Sequence, residues 1–341
     1  MKVFPISVKE SSLIQHNKEI NMEYIMRALK ISLILVVIAL QGMGELMAQD
    51  GVIKVTLLGT GTPQLNPARM SYSTLIEAGD EVLMFDAGRA AMLQAKKSGA
   101  NLKKLNKLFL THLHSDHVIG IPDVWLTGFL APAFRATPFQ LWGPAGVKNL
   151  AAGLRQAYDF DVGIRIKQYG GKRAEGMEFD ATQIHDGYVY ESNGVKVTAF
   201  EVHHTGPNSA YGYKIEYNGR SVVLSGDTTY DENVIKYAKG VDLLVHQVGY
   251  APEEALAKNQ VVARIMSHHT QPKQVAKIFT VTQPKLAVFS HIVVFTEKGP
   301  DLSSDGEEKM MEVVRQTYDG PVVLGQDLMA FEVGDTVTQL Q

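Results

Sequence analysis

The spacing of apolar and polar residues predicts short strands and helices that alternate through the first half of the chain. Strands are expected at Ile53 to Leu58, Ser73 to Ile76, Glu81 to Phe85, Leu108 to Leu110 and Phe139 to Trp142. Helical periodicity covers Ala90 to Lys97, Ile121 to Leu130 and Ala145 to Tyr158.

The second half of the chain repeats this style. Strands are expected at Val195 to Val202, Tyr211 to Tyr217, Ser221 to Ser225, Asp242 to His246, Leu286 to Ser290, Pro321 to Leu324 and Ala330 to Val333. Asn218-Gly219 predicts a hairpin turn, and helices are expected at Gln271 to Thr280 and Gly306 to Thr317. Because strands and helices alternate in both halves without a linker, the pattern predicts one α/β domain with layered sheets over residues 51–341.

The first 50 residues have a different pattern. Basic Arg27 and Lys30 precede the apolar run Ile31 to Leu40, and small residues follow as far as Ala48. This order is typical of a secretory signal peptide, and the run is too short for an ordinary membrane span. We therefore expect residues 1–50 to be an N-terminal extension and signal peptide, and the mature protein to be periplasmic or secreted without stable membrane insertion. An uncleaved N-terminal anchor is the alternative.

Composition narrows the chemistry. The 341 residues include no cysteine, which excludes disulfides, thiolate metal ligands and a cysteine nucleophile. The formal net charge is −3, and the sequence has no block of Lys and Arg. A polyanion such as tRNA needs several cations on one face, so the charge pattern argues against a nucleic-acid partner.

A dense histidine cluster follows the strand that ends near Leu110. The segment reads Thr111-His112-Leu113-His114-Ser115-Asp116-His117. Residues two apart at an extended strand end face the same side, so His112 and His114 can bind one metal ion. Asp116 and His117, at the turn into the next helix, can bind a second. Imidazole and carboxylate groups without thiolate suit Zn²⁺, Mn²⁺ or Fe, and a site rich in imidazole favours zinc.

Further candidate ligands stand where other apolar strands end. They are His203 or His204, then Asp227, and then His291. Each is the first strongly coordinating group beyond its strand, so one edge of the sheets can bring them together. The pattern predicts a metal centre assembled from both halves of the chain.

These motifs resemble the metallo-β-lactamase superfamily. The resemblance rests on the His112-to-His117 run, on Ser225-Gly226-Asp227-Thr228 and on Phe289-Ser290-His291, and it covers Ile53 to Val333. Trp142-Gly143-Pro144 with Gly146 is similar to a segment of the branch that contains ribonuclease Z and an arylsulfatase-type group. The resemblance implies a four-layer αββα sandwich, formed as a single domain.

The same resemblance implies roles for individual residues. It places His112, His114 and His204 on one metal ion, Asp116, His117 and His291 on a second, and Asp227 between them. Two Zn²⁺ ions, or Mn²⁺ or Fe, would hold a bridging hydroxide that acts as the nucleophile. Asp86 would orient a ligand imidazole. Asp116 and His269 are the catalytic candidates, with His269 as a proton donor and His268 as its competitor.

The stretch from His204 to Tyr213 is similar to the arylsulfatase group, and its spacing selects His204 over His203 as the ligand. We therefore expect an exported hydrolase of sulfate or phosphate esters with a small-molecule substrate. No tRNA is expected, because residues 159–194 are not rich enough in Gly and Lys to form a tRNA-binding arm. A ribonuclease Z-like or cyclic-nucleotide phosphodiesterase and a non-catalytic metal-binding module are the alternatives, and a homodimer stays open.

Overall fold

A computed structural model describes residues 51–340 except 132, 206–209 and 302. The predicted signal peptide lies outside the described residues, as do four residues of the stretch that resembles the arylsulfatase group. The export and location of the protein therefore stay predictions. Within the described part of the chain, no helix is long and apolar enough to cross a membrane.

The first half of the described chain forms most of one sheet. Its strands are β1 (Ile53–Gly59), β2 (Ser73–Ala78), β3 (Glu81–Phe85), β4 (Lys107–Phe109), β5 (Phe139–Gly143) and β6 (Phe179–Gln183), to which the C-terminal β15 (Ala330–Val333) and β16 (Val337–Leu340) are added. The spatial order is β16-β15-β1-β2-β3-β4-β5-β6. Strands β3 to β6 are parallel, so their carboxyl ends lie at one edge.

The second half forms the other sheet. Its strands are β7 (Val189–Ser192), β8 (Val195–Val202), β9 (Ala210–Tyr217), β10 (Arg220–Leu224), β11 (Leu243–Tyr250), β12 (Leu286–Thr296), β13 (Gly299–Pro300) and β14 (Val322–Leu324). They run in the order β13-β12-β11-β10-β9-β8-β7, with β14 beside β12. The predicted hairpin joins β9 and β10, and β10, β11 and β12 are parallel.

Helices cover the outer face of each sheet. They are α1 (Ala91–Lys97), α2 (Ser115–Val118), α3 (Ile121–Phe129), α4 (Val147–Ala157), α5 (Asp159–Tyr169), α6 (Glu232–Ala238), α7 (Glu253–Lys258), α8 (Gln260–Met266), α9 (Pro272–Thr282) and α10 (Ser304–Arg315), with a 3₁₀ helix at Gly171–Met177. Helices α1, α3 and α4 pack on the first sheet, and α6, α9 and α10 pack on the second. A separate apolar cluster fills the space between the two sheets and includes Leu57, Phe85, Tyr213 and Val245. The predicted αββα sandwich is confirmed.

Some elements differ from the sequence prediction. Helix α5 was not predicted, because Val162 is its only fully buried residue and its remaining apolar side chains leave no clear core-facing stripe. Strand β12 continues past its predicted end at Ser290 to Thr296. The continuation matters for the site, because His291 lies inside it.

Candidate metal centre

The predicted ligands meet at one edge of the two sheets. The segment beginning at His112 follows β4, His204 follows β8, and Asp227 follows β10. His291 lies within β12, next to the same edge. Since these strands end side by side, residues far apart in sequence come within contact distance.

Three imidazoles form the first group. The nitrogen atoms of His112, His114 and His204 lie within 4.8 Å of one another. His204 Nε2 lies 3.4 Å from His114 Nδ1. The Nδ1 of His204 donates to the carbonyl oxygen of His268 at 3.0 Å, which orients its Nε2 toward the group.

The second group contains Asp116, His117 and His291, again with ligand atoms within 4.8 Å. Asp116 Oδ2 lies 3.1 Å from His291 Nε2 and 3.4 Å from His117 Nε2. All three side chains are buried. Asp116 and His117 belong to the short helix α2, which brings both toward the sheet edge.

Asp227 stands between the two groups. Its Oδ2 lies 3.2 Å from His291 Nε2 and 3.6 Å from His117 Nε2. On the other side, the same oxygen lies 3.7 Å from His204 Nε2 and 4.0 Å from His112 Nε2. One carboxylate therefore faces ligand atoms of both groups, which is the position that the family resemblance implies for a bridging residue.

Backbone geometry delivers Asp227 and His291. Gly226 has a φ of 61°, and a Cβ there would lie 2.4 Å from the carbonyl oxygen of Tyr211. Only glycine fits this turn. His291 has a φ of 46°, at a point where the β11–β12 register shifts by one residue. Such a bulge redirects a side chain, and here it turns His291 into the site.

Asp86 holds His117 in place. Asp86 Oδ2 lies 2.8 Å from His117 Nδ1, and the carboxylate also accepts hydrogen bonds from the Thr111 N–H and hydroxyl. Asp86 and His117 are completely buried. The hydrogen bond to Nδ1 leaves Nε2 of His117 directed at the other ligands, which is the orienting function predicted for Asp86.

Burial and charge set the protonation of the first group. Burial lowers the pKa of His112 and of His204, because an imidazolium loses its solvation there. For Asp227, burial favours the neutral acid, but His291 and His117 outweigh it and hold its pKa well below the usual range. Neutral imidazoles beside an ionised carboxylate are the forms that coordinate metal ions.

Three carboxylates, those of Asp86, Asp116 and Asp227, surround His117 in the second group. For Asp116, burial again favours the neutral acid, but His117 and His291 lower its pKa. Burial opposes protonation of His117, yet Asp116, Asp86 and Asp227 outweigh it and raise the His117 pKa well above its ordinary value. A cation is strongly favoured at this point of the protein.

Several buried polar atoms of the cluster have no hydrogen-bond partner among the described residues. They are His112 Nε2, His117 Nε2, Asp227 Oδ1 and His291 Nδ1. Leaving buried polar atoms unpaired is costly, and one or more bound cations would satisfy those that point into the cluster. The donor set of imidazoles and carboxylates fits a divalent metal ion.

Three other histidines near the centre have distinct settings. His269 lies against the cluster, with ligand atoms near those of His204 and Asp227. Its Nδ1 lies 2.9 Å from Gln247 Oε1. His268 lines the cleft, whereas the side chain of His203 is 85% exposed and pairs with Asp231 instead. The structure thus places His204 inside the cluster and His203 outside it.

Sequence reasoning missed two supporting residues. Tyr72 is buried under the site, with its ring 5.4 Å from that of His117. Gln247 donates from Nε2 to the Thr228 carbonyl at 2.6 Å, so its Oε1 accepts from His269 and fixes the proton on Nδ1. Neither has a motif of its own: Gln247 lies inside the apolar strand β11, and Tyr72 directly precedes β2.

The centre opens into a cleft of about 170 Å³. Thr62, Pro63 and Gln64 line one wall, and Ile265, His268 and Val293 line another. His114, Asp116, His204, Asp227, His269 and His291 form the rest of the lining. A substrate in the cleft would therefore touch both ligand groups at once.

Comparison with known proteins identifies relatives over most of the chain. A family model described as the β-lactamase superfamily domain matches residues 75–292. Ribonuclease Z of Mycolicibacterium paratuberculosis is 32% identical over 283 residues, which cover 83% of this chain and 99% of the relative. Ribonuclease Z of Mycobacterium marinum is 30% identical over 287 residues, with the same shares covered.

Solved structures show the same fold at lower identity. The metallo-β-lactamase fold protein YhfI from Bacillus subtilis matches with a TM-score of 0.61 and 15% identity, covering 83% of this chain and 99% of that one. The short form of human tRNase Z matches with a TM-score of 0.58 and 20% identity, covering 81% and 98%.

These relatives correct two expectations. The prediction of an arylsulfatase-like enzyme is wrong, because ribonuclease Z sequences match nearly the whole domain. The prediction of a small-molecule ester substrate without tRNA is wrong for the same reason. That expectation rested on the lack of a Lys and Arg block and on the composition of residues 159–194, but cations far apart in the sequence can meet on one face of a folded protein.

Proposed function

Because the chain belongs to the metallo-β-lactamase superfamily, in the branch of ribonuclease Z, we propose that it is a ribonuclease Z-like nuclease that cleaves phosphodiester bonds in tRNA. It is a metal-dependent hydrolase of ester bonds. The observation that carries the proposal is the 32% identity to a ribonuclease Z over 99% of that relative. The cluster described above supports it, since phosphodiester hydrolysis needs cations around the reacting phosphate.

We propose two divalent ions, and zinc is favoured because five of the seven ligands are imidazoles. His112, His114 and His204 would hold one, Asp116, His117 and His291 the other, with Asp227 shared. Bound there, the metal would supply Lewis-acid stabilisation of phosphate charge and would lower the pKa of a bound water. Mn²⁺ or Fe is the alternative.

The protein's own residues would orient the substrate and move a proton. Asp86 fixes His117 through Nδ1, and Gln247 fixes His269 in the same way. Nε2 of His269 is therefore the atom that would give a proton to the leaving oxygen. Desolvation lowers the pKa of His269 to about 3, so the negative charge of a phosphodiester would be needed to favour the protonated form.

Purified, zinc-loaded protein tests the proposal directly. It should cleave a tRNA transcript that carries extra nucleotides at both ends, and chelation should abolish cleavage. The variant His204→Ser serves as the control for the metal site. An assay with 4-nitrophenyl sulfate serves as the control for the substrate. Zinc-loaded protein that leaves the tRNA transcript intact would overturn the proposal, whether or not it hydrolyses the aryl sulfate.

A further inference from the structure

The loop between β1 and β2 separates two depressions in the surface. Its residues Thr62, Pro63 and Gln64 line the cleft at the metal centre. The next part of the loop lines a second depression of about 210 Å³, which we call the flanking groove; its lining is Leu65, Asn66, Pro67, Arg69, Met70 and Arg89. The cleft and the flanking groove therefore adjoin across one short loop.

The loop is held firmly by residues from the far end of the chain. Arg69 forms a bidentate ion pair with Glu307, with Nε–Oε1 and Nη2–Oε2 distances of 2.7 and 2.9 Å. Its Nη1 donates to the Gly325 carbonyl oxygen at 2.6 Å. Asp327 accepts from the N–H groups of Thr60 and Met70 at 2.9 and 2.6 Å. The groove is thus preformed, and the Arg69 guanidinium is already committed to protein partners.

The groove wall is apolar and open. Leu65 is 73% exposed, although exposing a leucine side chain to water is unfavourable. Pro67 is exposed as well, and Met70 is half-buried. An exposed apolar wall next to a reaction centre is typical of a surface that a substrate covers.

Arg89 supplies a cation to this wall. Its Nη1 lies 3.1 Å from Ser71 Oγ, and it forms no ion pair with any described residue. It directly follows Gly88, where a Cβ would lie 2.5 Å from the Asp116 carbonyl oxygen. The backbone at Arg89 therefore lies beside a proposed ligand, and the guanidinium keeps donors for an anion.

Building on the proposed function, we infer that the flanking groove binds the nucleotide next to the scissile phosphodiester. The guanidinium of Arg89 pairs with the phosphate of that nucleotide, and Leu65, Pro67 and Met70 contact its base. A cation with no carboxylate partner among the described residues, next to an apolar wall, matches the two parts of a nucleotide in a single-stranded segment. Continuity with the cleft places this contact one step along the RNA from the reacting bond.

Two variants separate this contact from the chemistry. Arg89→Gln and Leu65→Asp in the full, zinc-loaded chain should each raise KM for a tRNA transcript about 5- to 150-fold, with kcat nearly unchanged. Arg89→Gln should also reduce the slope of log KM against log salt by about one. Bis(4-nitrophenyl) phosphate has no flanking nucleotide, so its hydrolysis should keep the wild-type kcat/KM. Arg165→Gln, on α5, is the matched control, because Arg165 pairs with Asp161 outside both depressions.

The outcomes distinguish the groove from the proposed function. If the wild type does not cleave tRNA, both the proposed function and the proposed role of the flanking groove are overturned. If the wild type cleaves tRNA and both variants match its KM, only the groove is overturned. Equal loss on tRNA and on the small diester also overturns it, because a flanking contact would spare the diester. Transcripts with single abasic positions add a direct check, since one position should remove the effect of Leu65→Asp.

Discussion

His204 and His269 lie side by side, with ring centres 5.3 Å apart, yet different hydrogen bonds hold them. If His204 is a ligand and His269 a proton donor, His204→Ala should lose metal together with activity. His269→Ala should keep the metal and lose about 10²- to 10⁴-fold in rate, mainly on esters with poor leaving groups. Elemental analysis and a leaving-group series measure this, with His203→Ala as the exposed neighbouring control. Metal loss in His269→Ala would make His269 a ligand instead.

A second prediction at the residue scale concerns His246, which is completely buried and has no hydrogen-bond partner for Nε2 among the described residues. Burial lowers its pKa from 6.5 to about 4, so the native state stays neutral while the unfolded chain takes up a proton. The free energy of unfolding should therefore fall as the pH drops from about 6.5 to about 4, by roughly 3 kcal/mol from this residue. Urea denaturation of chelated protein should show a shallower pH dependence for His246→Phe. Parallel curves for both proteins would refute the assignment.

At the residue scale, the sequence could name the candidate ligands that the structure brings together, because they stand in a dense motif or directly after apolar strands. It could not predict Gln247 or Tyr72 as supports of the site. Their contacts with His269 and His117 depend on how strands from different parts of the chain are packed. Contacts between such supporting residues and the candidate site residues leave no pattern in the local sequence.

At the scale of elements, apolar periodicity located most strands and the longer helices that pack against them. It missed α5, which offers little buried surface, and it ended β12 at Ser290, because a bulge interrupts the pairing with β11. A bulge depends on the partner strand and on the site that it serves. The same feature that delivers His291 is therefore the one that the periodicity could not show.

The turn after β10 gives a prediction at this scale. Gly226→Ala forces a side chain into a positive φ and against the Tyr211 carbonyl, so unfolding should become easier by about 1–3 kcal/mol. Metal affinity should also fall, because Asp227 is displaced. Gly153→Ala in α4 is the control, since nothing lies within 4 Å of the added Cβ, and it should be neutral or stabilising. A Gly226→Ala protein with wild-type stability and metal content would show that the turn tolerates a side chain.

At the scale of the whole molecule, the fold followed from the order of strands and helices, but the substrate did not. The αββα scaffold serves many reactions, and a net charge of −3 says little about one groove. The flanking groove shows why: Arg69 is neutralised by Glu307, whereas Arg89 stays available, and the sequence alone does not distinguish the two.

The most direct measurement of the central claim is a metal titration of chelator-stripped protein in which bound metal and tRNA cleavage are followed in the same sample. We expect close to two transition-metal ions per chain when loading is complete, with cleavage appearing as the ions bind. Asp227→Ala should bind less metal and cleave nothing, because one carboxylate faces both ligand groups. Fully loaded protein that leaves tRNA intact, or cleavage that survives complete removal of metal, would contradict the account.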